Sequence, residues 1–235
     1  MQLFYTQNIQ GNIAILGEEE TRHCTKVLRK KNGDSIHFID GEGGMYEGII
    51  EDLGKKDCRI NITEKKENFG KRDFKIHIAI APTKNISRLE WFLEKTTEMG
   101  IDTITPILCN HSERKNIRND RLEKVILSAT KQSIKAYLPQ LNDLTSFSDF
   151  LENVKDDQAE KFVCWVDKEN IPLSKNYTKK KDVIILIGPE GDFSQAEVEM
   201  ANSQGFCSVG LGESRLRTET AGIVACHYIH VLNEL

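Results

Sequence analysis

Five consecutive aliphatic residues, Val183-Ile184-Ile185-Leu186-Ile187, run directly into Gly188-Pro189-Glu190-Gly191. No other feature restricts the fold as much. An uninterrupted apolar run rich in β-branched residues and closed by Gly-Pro reads as a strand buried on both faces, and such strands belong to parallel sheets covered by helices. The strand ends at Gly188. Ser194 then stands three residues before Glu197, the capping-box spacing, and Ala196, Val198, Met200 and Ala201 follow with partial helical spacing. The stretch is strand, tight loop, helix. In open α/β sheets ligands bind at the carboxyl ends of the strands, where glycines let the backbone approach closely. Gly188 to Gly191 is therefore a candidate ligand loop, and its plainer reading is a simple turn.

The flanking sequence alternates in the same way. "FKIHIAIAP" reads as a strand, and "SRLEWFLEKTTEMG" puts Leu89, Phe92, Leu93 and Thr96 at i, i+3, i+4 and i+7 before stopping at Gly100. "DTITPILC" reads as strand, "DRLEKVILSATKQS" as helix, "SFSDFLENV" as a short helix, "KFVCWV" and "FCSVGLG" as strands. A long last helix carries the apolar stripe Ala221, Val224, Ala225, Tyr228, Val231 and Leu232, read either as core or as a dimer interface. Such alternation implies an α/β fold with a mostly parallel sheet and helices on both faces.

Residues 1 to 64 have a different texture. "QLFYT", "NIAIL", "DSIHFID", "MYEGIIEDL" and "CRINIT" are five short strand-like runs separated by turn signals, which suggests a small β-barrel or sandwich. "ETRHCTKVLRK" interrupts them as a helix, with Cys24, Val27 and Leu28 on one face and basic residues elsewhere. The polar stretch "EKKENFGKRD" marks the boundary, giving domains 1–68 and 69–235.

Charge sharpens the question of partners. The 235-residue chain has a formal net charge of −4, so no global basic field announces a nucleic-acid binder. Its cations are clumped, however, in "KVLRKKNGD", "KKENFGKRDFK" and "SERKNIRNDR", which read either as solvated faces or as local phosphate-binding patches. No apolar run approaches the roughly 20 residues of a membrane span, and "MQLFYTQNIQ" lacks the pattern of a signal peptide, so a cytoplasmic protein is expected. The six scattered cysteines have no C-x-x-C spacing and read as buried reduced thiols, with no metal site expected. His23, alone in the first domain, reads as structural or surface.

"VGLGESRLRTETAG", residues 209 to 222, repeats the opening logic: a buried strand ends at Gly210-Leu211-Gly212, and a polar segment leads into a helix. If the two glycine-ended strands are neighbours, their loops form two walls of one main-chain pocket, suited to a flat purine with its ribose. Neither loop matches G-x-x-x-x-G-K-[ST] or G-x-G-x-x-G, and no G-x-S-x-G is present.

"LIGPEGDFSQAEVEMA" followed by "LGESRLRTETAGIVA", with "KNISRLEWFLEKTTEMGIDTITPILCNHSER" and "RHCTKVLRKKNGDSIHFIDGEGGMYEGII" before them, resembles the bacterial 16S rRNA uridine-N3 methyltransferase family (RsmE). The resemblance covers nearly the whole chain in order. It implies an N-terminal PUA-like β-barrel that binds RNA and a C-terminal SPOUT methyltransferase domain with a trefoil knot, a fold that periodicity alone would not suggest. It also implies S-adenosylmethionine bound in the knot, a homodimer, and 16S rRNA within the small ribosomal subunit as partner. Carried over by residue, Leu186, Gly188, Glu190 and Gly191 would line one side of the cofactor, and Gly210, Leu211, Gly212, Leu216, Arg217 and Thr218 the other. The chain departs from the family pattern at Asp192, where a second glycine is common, at Ser214 and Arg215, and at Lys135, where arginine is usual.

Methylation at uridine N3 needs the imide proton removed and the Watson–Crick edge exposed, so the base must be unpaired or flipped out. Orienting two bound reactants supplies roughly 7–11 kcal/mol of the barrier. Arg217 is the candidate for stabilising the uracil anion, and Glu219 for accepting the proton or positioning the base. The competing reading pairs Arg217 with Glu190 or Glu219 to hold the loops together. Lys84, Arg88, Arg114 and Lys135, with Arg29 and Lys30 of the barrel, are the candidate RNA contacts. Two rival functions stand beside this one: another SPOUT methyltransferase acting on tRNA or a ribose hydroxyl, and a non-catalytic RNA-binding assembly factor.

Overall fold

The computed structural model describes residues 1–165 and 171–234, and Val166, the last residue of the strand expected from "KFVCWV", lies outside them. The chain divides into two units, Met1–Lys71 with Leu127–Leu138, and Arg72–Ile126 with Pro139–Leu235.

In the first unit β1 (Leu3–Tyr5), β2 (Ile9–Gln10), β3 (Ile13–Leu16), β4 (Ser35–Ile39), β5 (Met45–Leu53) and β6 (Cys58–Lys66) form a six-stranded sheet in the order β1-β4-β5-β6-β3-β2. β1 runs parallel to β4 and the other pairs are antiparallel. The five strands read from the sequence are present. β2 is the addition, turning back at Gly11, which holds φ 58. Period-two alternation sends Phe4, Leu16, Ile36, Phe38, Ile50 and Ile60 into one core. The segment Leu127–Leu138 is tied to this unit by main-chain bonds from Gly43 N to the Ala136 carbonyl (3.0 Å) and from Leu138 N to the Gly41 carbonyl (2.9 Å). Ala136 packs there with Leu3, Ile39 and Met45.

The interrupting helix differs from expectation. α1 (Glu18–Arg22) passes into a π-helical turn, His23–Val27, in which Leu28 N bonds back five residues to the His23 carbonyl. The wider turn rotates the side chains that follow. Cys24 is fully buried, but Val27 is 66% exposed and does not share its face.

The second unit contains β7 (Ile76–Ile80), α2 (Ile86–Met99), β8 (Thr103–Leu108), β9 (Gln140–Leu141), β10 (Thr145–Ser146), α4 (Phe147–Asn153), β11 (Glu160–Cys164), β12 (Ile171–Pro172), α5 (Leu173–Asn176), β13 (Val183–Ile187), α6 (Gln195–Ser203), β14 (Cys207–Gly210) and α7 (Thr218–Glu234); α3 (Asn119–Gln132) starts here and ends in the first unit. Its eight strands lie in the order β10-β8-β7-β13-β11-β14-β12, with β9 beside β8, and every pair is parallel. All five residues of β13 are buried, as an apolar run in a parallel sheet must be. On one face Ala79, Val163, Ile184 and Leu186 pack with Phe147 and Phe150 of α4 and Val198 and Ala201 of α6. Helix ends follow their residues: the Asn85 side chain caps α2, which stops at Gly100 with φ 110, and Ser194 and Glu197 form the expected capping box of α6. Ala196 and Met200 of α6 are exposed.

On the other face α7 packs against α2 through Gly222. A Cβ placed there would lie 2.5 Å from Phe92 Cε2 and 3.2 Å from Ile80 Cδ1, and Phe92 is fully buried. Gly222→Ala is therefore expected to destabilise the fold by about 1–3 kcal/mol, although alanine is the better helix former by about 1 kcal/mol. A urea midpoint unchanged from wild type would show that the two helices separate at little cost.

The apolar stripe expected on α7 is only partly the buried one. Gly222, Ala225, Cys226 and Ile229 face the core, whereas Ala221, Val224, Tyr228, Val231 and Leu232 are half-buried on the adjoining face. The tight fit at Gly222 sets this rotation. Cysteines also divide differently from expectation: Cys24, Cys58, Cys109 and Cys226 are buried, Cys164 is half-buried, and Cys207, at the start of β14, is exposed.

A polar network crosses the α4 face. His77 Nε2 lies 2.7 Å from the Thr105 hydroxyl, which also accepts from Asn142 Nδ2 at 2.7 Å, and the His77 ring meets Phe150 edge-on at 5.5 Å. Burial pushes the His77 imidazole down to about 4.

Candidate active site

Three loops leave the carboxyl ends of the adjacent strands β8, β7 and β13 and are laced together by named contacts. After β13, Asp192 N donates to the Pro189 carbonyl at 2.9 Å, closing a turn over Glu190 and Gly191. Glu190 Oε1 accepts from Lys84 N (2.9 Å) in the loop after β7. His111 Nδ1, in the loop after β8, donates to the Asp192 carbonyl at 3.0 Å. Glu197 does double duty: Oε2 takes the Ser194 amide of its capping box, and Oε1 takes the Asn110 amide at 2.8 Å. Arg114 closes the set, its Nε and Nη2 donating to the Thr83 and Lys84 carbonyls.

This lacing explains two sequence features. Gly191 passes so close to His111 that an added Cβ would lie 3.1 Å from the histidine Cβ. Asp192 holds φ 62, the left-handed region in which glycine is relaxed and aspartate is among the better tolerated residues. Its own carboxylate, accepting from Phe193 N at 2.9 Å, supports that conformation. The departure from the family's glycine is thus a substitution at a position whose backbone favours glycine.

The second glycine loop is placed differently from the simplest expectation. β13 and β14 are not neighbours, because β11 lies between them and pairs with both. The chain enters β11 between the two, so the glycine loops flank the end of that strand. Gly210 and Leu211 are half-buried, Gly212 is exposed with φ 122, and a Cβ added at Gly212 would meet nothing within 4 Å. A side chain at Gly212 would project into open space.

Beyond this loop Leu216 is half-buried, Arg217 is exposed, and Thr218 and Glu219 open α7 buried. Neither of the ion pairs considered for Arg217 forms: Glu190 is held by the Lys84 amide, and Glu219 Oε1 faces Arg88 Nε at 3.7 Å. The Glu219 side chain is only 6% exposed, and its Oε2 is buried with no hydrogen-bond partner among the described residues. A buried carboxylate oxygen left unsatisfied is costly, which makes Glu219 Oε2 a candidate acceptor for a bound molecule's donor.

The expected RNA contacts divide between the two units. In the first unit Arg29 is exposed at φ 53, and Lys30 Nζ bonds the Ser35 carbonyl at 3.0 Å. Lys135 lies in the segment Leu127–Leu138. In the second unit Lys84 pairs with Glu113 at 2.8 Å, Arg114 braces the loop after β7, and Arg88 faces Glu219. The sequence does not show the roles of Asn110, His111 and Glu197 in joining loops; it marks Glu197 only as a capping residue.

The comparisons with known proteins agree with this architecture. Residues 70–230 match the family described as RNA methyltransferase domain, and residues 16–63 match the RNA methyltransferase PUA domain. The ribosomal RNA small subunit methyltransferase E of Synechocystis is 28% identical over 92% of this chain and 72% of its own length. A crystal structure of a probable rRNA-methyltransferase from Porphyromonas gingivalis is 40% identical, with a TM-score of 0.88 over 100% of this chain and 99% of that one. A methyltransferase from Legionella pneumophila, solved with bound cofactor SAM, is 25% identical, with a TM-score of 0.85 over 97% of this chain and 96% of that one. With a PUA-like part ahead of a parallel α/β domain matched over most of its length, the chain belongs to the RNA methyltransferase family.

Proposed function

We propose that the protein transfers a methyl group from S-adenosylmethionine to N3 of a specific uridine in the 16S rRNA of the small ribosomal subunit. The observation that carries this reading is Glu219 Oε2 at the start of α7, buried and without a hydrogen-bond partner among the described residues, in the segment that follows the glycine loop Gly210 to Gly212. The names of the relatives support the substrate class, and the cofactor-bound Legionella structure supports the cofactor.

S-adenosylmethionine fits the residues present in that Gly210 and Gly212 carry no side chain and a Cβ added at Gly212 would meet nothing within 4 Å, which leaves backbone groups to meet a purine nucleoside. Leu186, Gly188, Glu190 and Gly191 would hold one side, and Gly210, Leu211, Gly212, Leu216, Arg217 and Thr218 the other. Glu190 contributes through its main chain, because its carboxylate is committed to Lys84. When bound, the cofactor supplies an activated methyl on a sulfonium. The chain supplies the rest: Arg217, exposed beside the loop, stabilises the negative charge that develops on the uracil, and Glu219 Oε2 accepts the N3 proton.

Arg29, Lys30 and Lys135 of the first part, with Lys84 of the second, meet RNA phosphates, whereas Arg114, expected among them, braces the Thr83 and Lys84 carbonyls instead. The Lys84–Glu113 pair is exposed on both sides, a kind of contact that contributes about 0–1 kcal/mol and exchanges readily for phosphate. The functional division follows 1–68 for the RNA-binding PUA-like barrel and 69–235 for the SPOUT domain with its trefoil knot. A second copy covers the half-buried apolar face of α7, making a homodimer that acts on ribosomal subunits in the cytoplasm.

The test is transfer of labelled methyl to small subunits lacking the modification, followed by nucleoside analysis of the 16S rRNA. N3-methyluridine is the expected product. Label on a ribose, or on tRNA alone, would replace the substrate assignment, and failure to bind S-adenosylmethionine would leave an RNA-binding protein.

A further inference from the structure

We infer that Arg88 is a positioning residue for Glu219 rather than a phosphate contact, an inference that rests on the reading of Glu219 as proton acceptor. Arg88 stands at the third position of α2, and the start of that helix is unusually well fixed. Asn85 Oδ1 accepts from Ser87 N at 3.1 Å, the Asn85 carbonyl accepts from Arg88 N at 3.0 Å, and Thr83 Oγ1 donates to that same carbonyl at 2.7 Å. Arg114 grips the Thr83 and Lys84 carbonyls, and Lys84 N is held by Glu190. The guanidinium therefore projects from a braced turn toward the first turn of α7, itself locked to α2 by the Gly222–Phe92 fit.

The separation is informative. At 3.7 Å from Arg88 Nε to Glu219 Oε1 the charges attract, yet the distance is too long for a hydrogen bond. Arg88 thus offsets the burial of the carboxylate without occupying its acceptor sites, and Oε2 keeps its full capacity for a donor. A direct bidentate pair would have blunted the base. Arg88 is 37% exposed while its partner is 6% exposed, so the arginine lies on the solvent side and the carboxylate inside.

The experiment uses the full-length protein with undermethylated small subunits and three variants, Arg88→Met, Arg88→Lys and Glu219→Gln, together with the Arg88→Met/Glu219→Gln double variant. Arg88→Met should lower single-turnover methyl transfer by about 10- to 100-fold, the size expected when a reacting group is misplaced. Cofactor affinity and the salt dependence of RNA binding should remain at wild-type values. Arg88→Lys, which retains the charge, should recover most of the rate. In the Glu219→Gln background Arg88→Met should add no further loss, because residues acting through one another are not additive.

Several results overturn the inference. An RNA-binding salt slope shallower by about one would make Arg88 a phosphate contact. An undiminished loss in the Glu219→Gln background would show that it acts elsewhere. Loss of cooperative thermal unfolding in Arg88→Met, with no rescue by lysine, would make the residue structural. If Glu219→Gln is impaired and Arg88→Met is not, only this inference falls; if Glu219→Gln is fully active, the acceptor reading falls with it.

Discussion

Glu219→Gln lowers methyl transfer by about 10²- to 10⁴-fold, the contribution typical of a positioned general base. Glutamine matches glutamate in shape, so it keeps the packing between the first turns of α7 and α2 while losing the ability to take a proton. Cofactor affinity, measured by calorimetric titration, stays at the wild-type value because the proposed adenosine contacts are made by main-chain groups rather than by Glu219. Thermal stability does not fall, since the substitution removes a buried charge whose Oε2 has no hydrogen-bond partner among the described residues. Rapid-quench transfer to undermethylated subunits separates these effects. Turnover equal to wild type would remove Glu219 from the chemistry and leave anion stabilisation by Arg217 as the chain's main contribution.

Stability falls by up to about 3 kcal/mol as pH drops from neutrality to 4, through His77 alone. Burial lowers the pKa of this imidazole from its ordinary 6.5 to about 4, with Asp157 opposing weakly. The folded protein therefore keeps His77 neutral over a range in which the unfolded chain binds a proton. The stability that follows is fully present above about pH 6.5 and is lost progressively as pH falls toward 4, the sign expected for a base whose folded pKa is depressed. Urea unfolding at several pH values in this window, for wild type and His77→Gln, isolates the term. The variant should show a shallower decline. Parallel curves would mean that the ring is protonated without penalty in the folded state.

Much of this architecture was legible in the sequence because local rules and burial agree there. Val183 to Ile187 form a fully buried parallel strand, Ser194 and Glu197 make their capping box, and Leu89, Phe92, Leu93 and Thr96 line the core face of α2. The misses arise where tertiary packing overrides local pattern. Composition cannot show that β11 inserts between β13 and β14, since parallel pairing is chosen by the whole sheet. Nor does the hydrophobic stripe of α7 reveal its rotation: a glycine counts as nothing on a hydropathy scale, yet at Gly222 the helix lies too close to Phe92 of α2 to admit a Cβ. Val27 leaves the face of Cys24 because a π-turn breaks the 3.6-residue period that would place them together.

The candidate site shows the same division. Its glycines and the Arg217 to Glu219 segment stand out as motif, whereas the partnership of Arg88 with Glu219 joins residues of two helices far apart in the chain. Arg114 reads in sequence as one more cation in a basic cluster. In the fold its guanidinium is spent on two carbonyls, and nothing in the one-dimensional pattern separates it from a solvated arginine.

The return of Leu127–Leu138 to the first unit bears on the order in which the nascent chain acquires structure. When residue 71 leaves the ribosome the sheet of the first unit is complete in its strands, but Leu3, Ile39 and Met45 still lack Ala136, and Gly41 and Gly43 lack their main-chain partners. Elongation at roughly 5–20 residues per second leaves that edge uncovered for seconds while β7, α2 and β8 emerge. The N-terminal part therefore cannot mature as an independent first product of synthesis, and a gene fragment ending at the linker would encode a sheet with an open apolar margin.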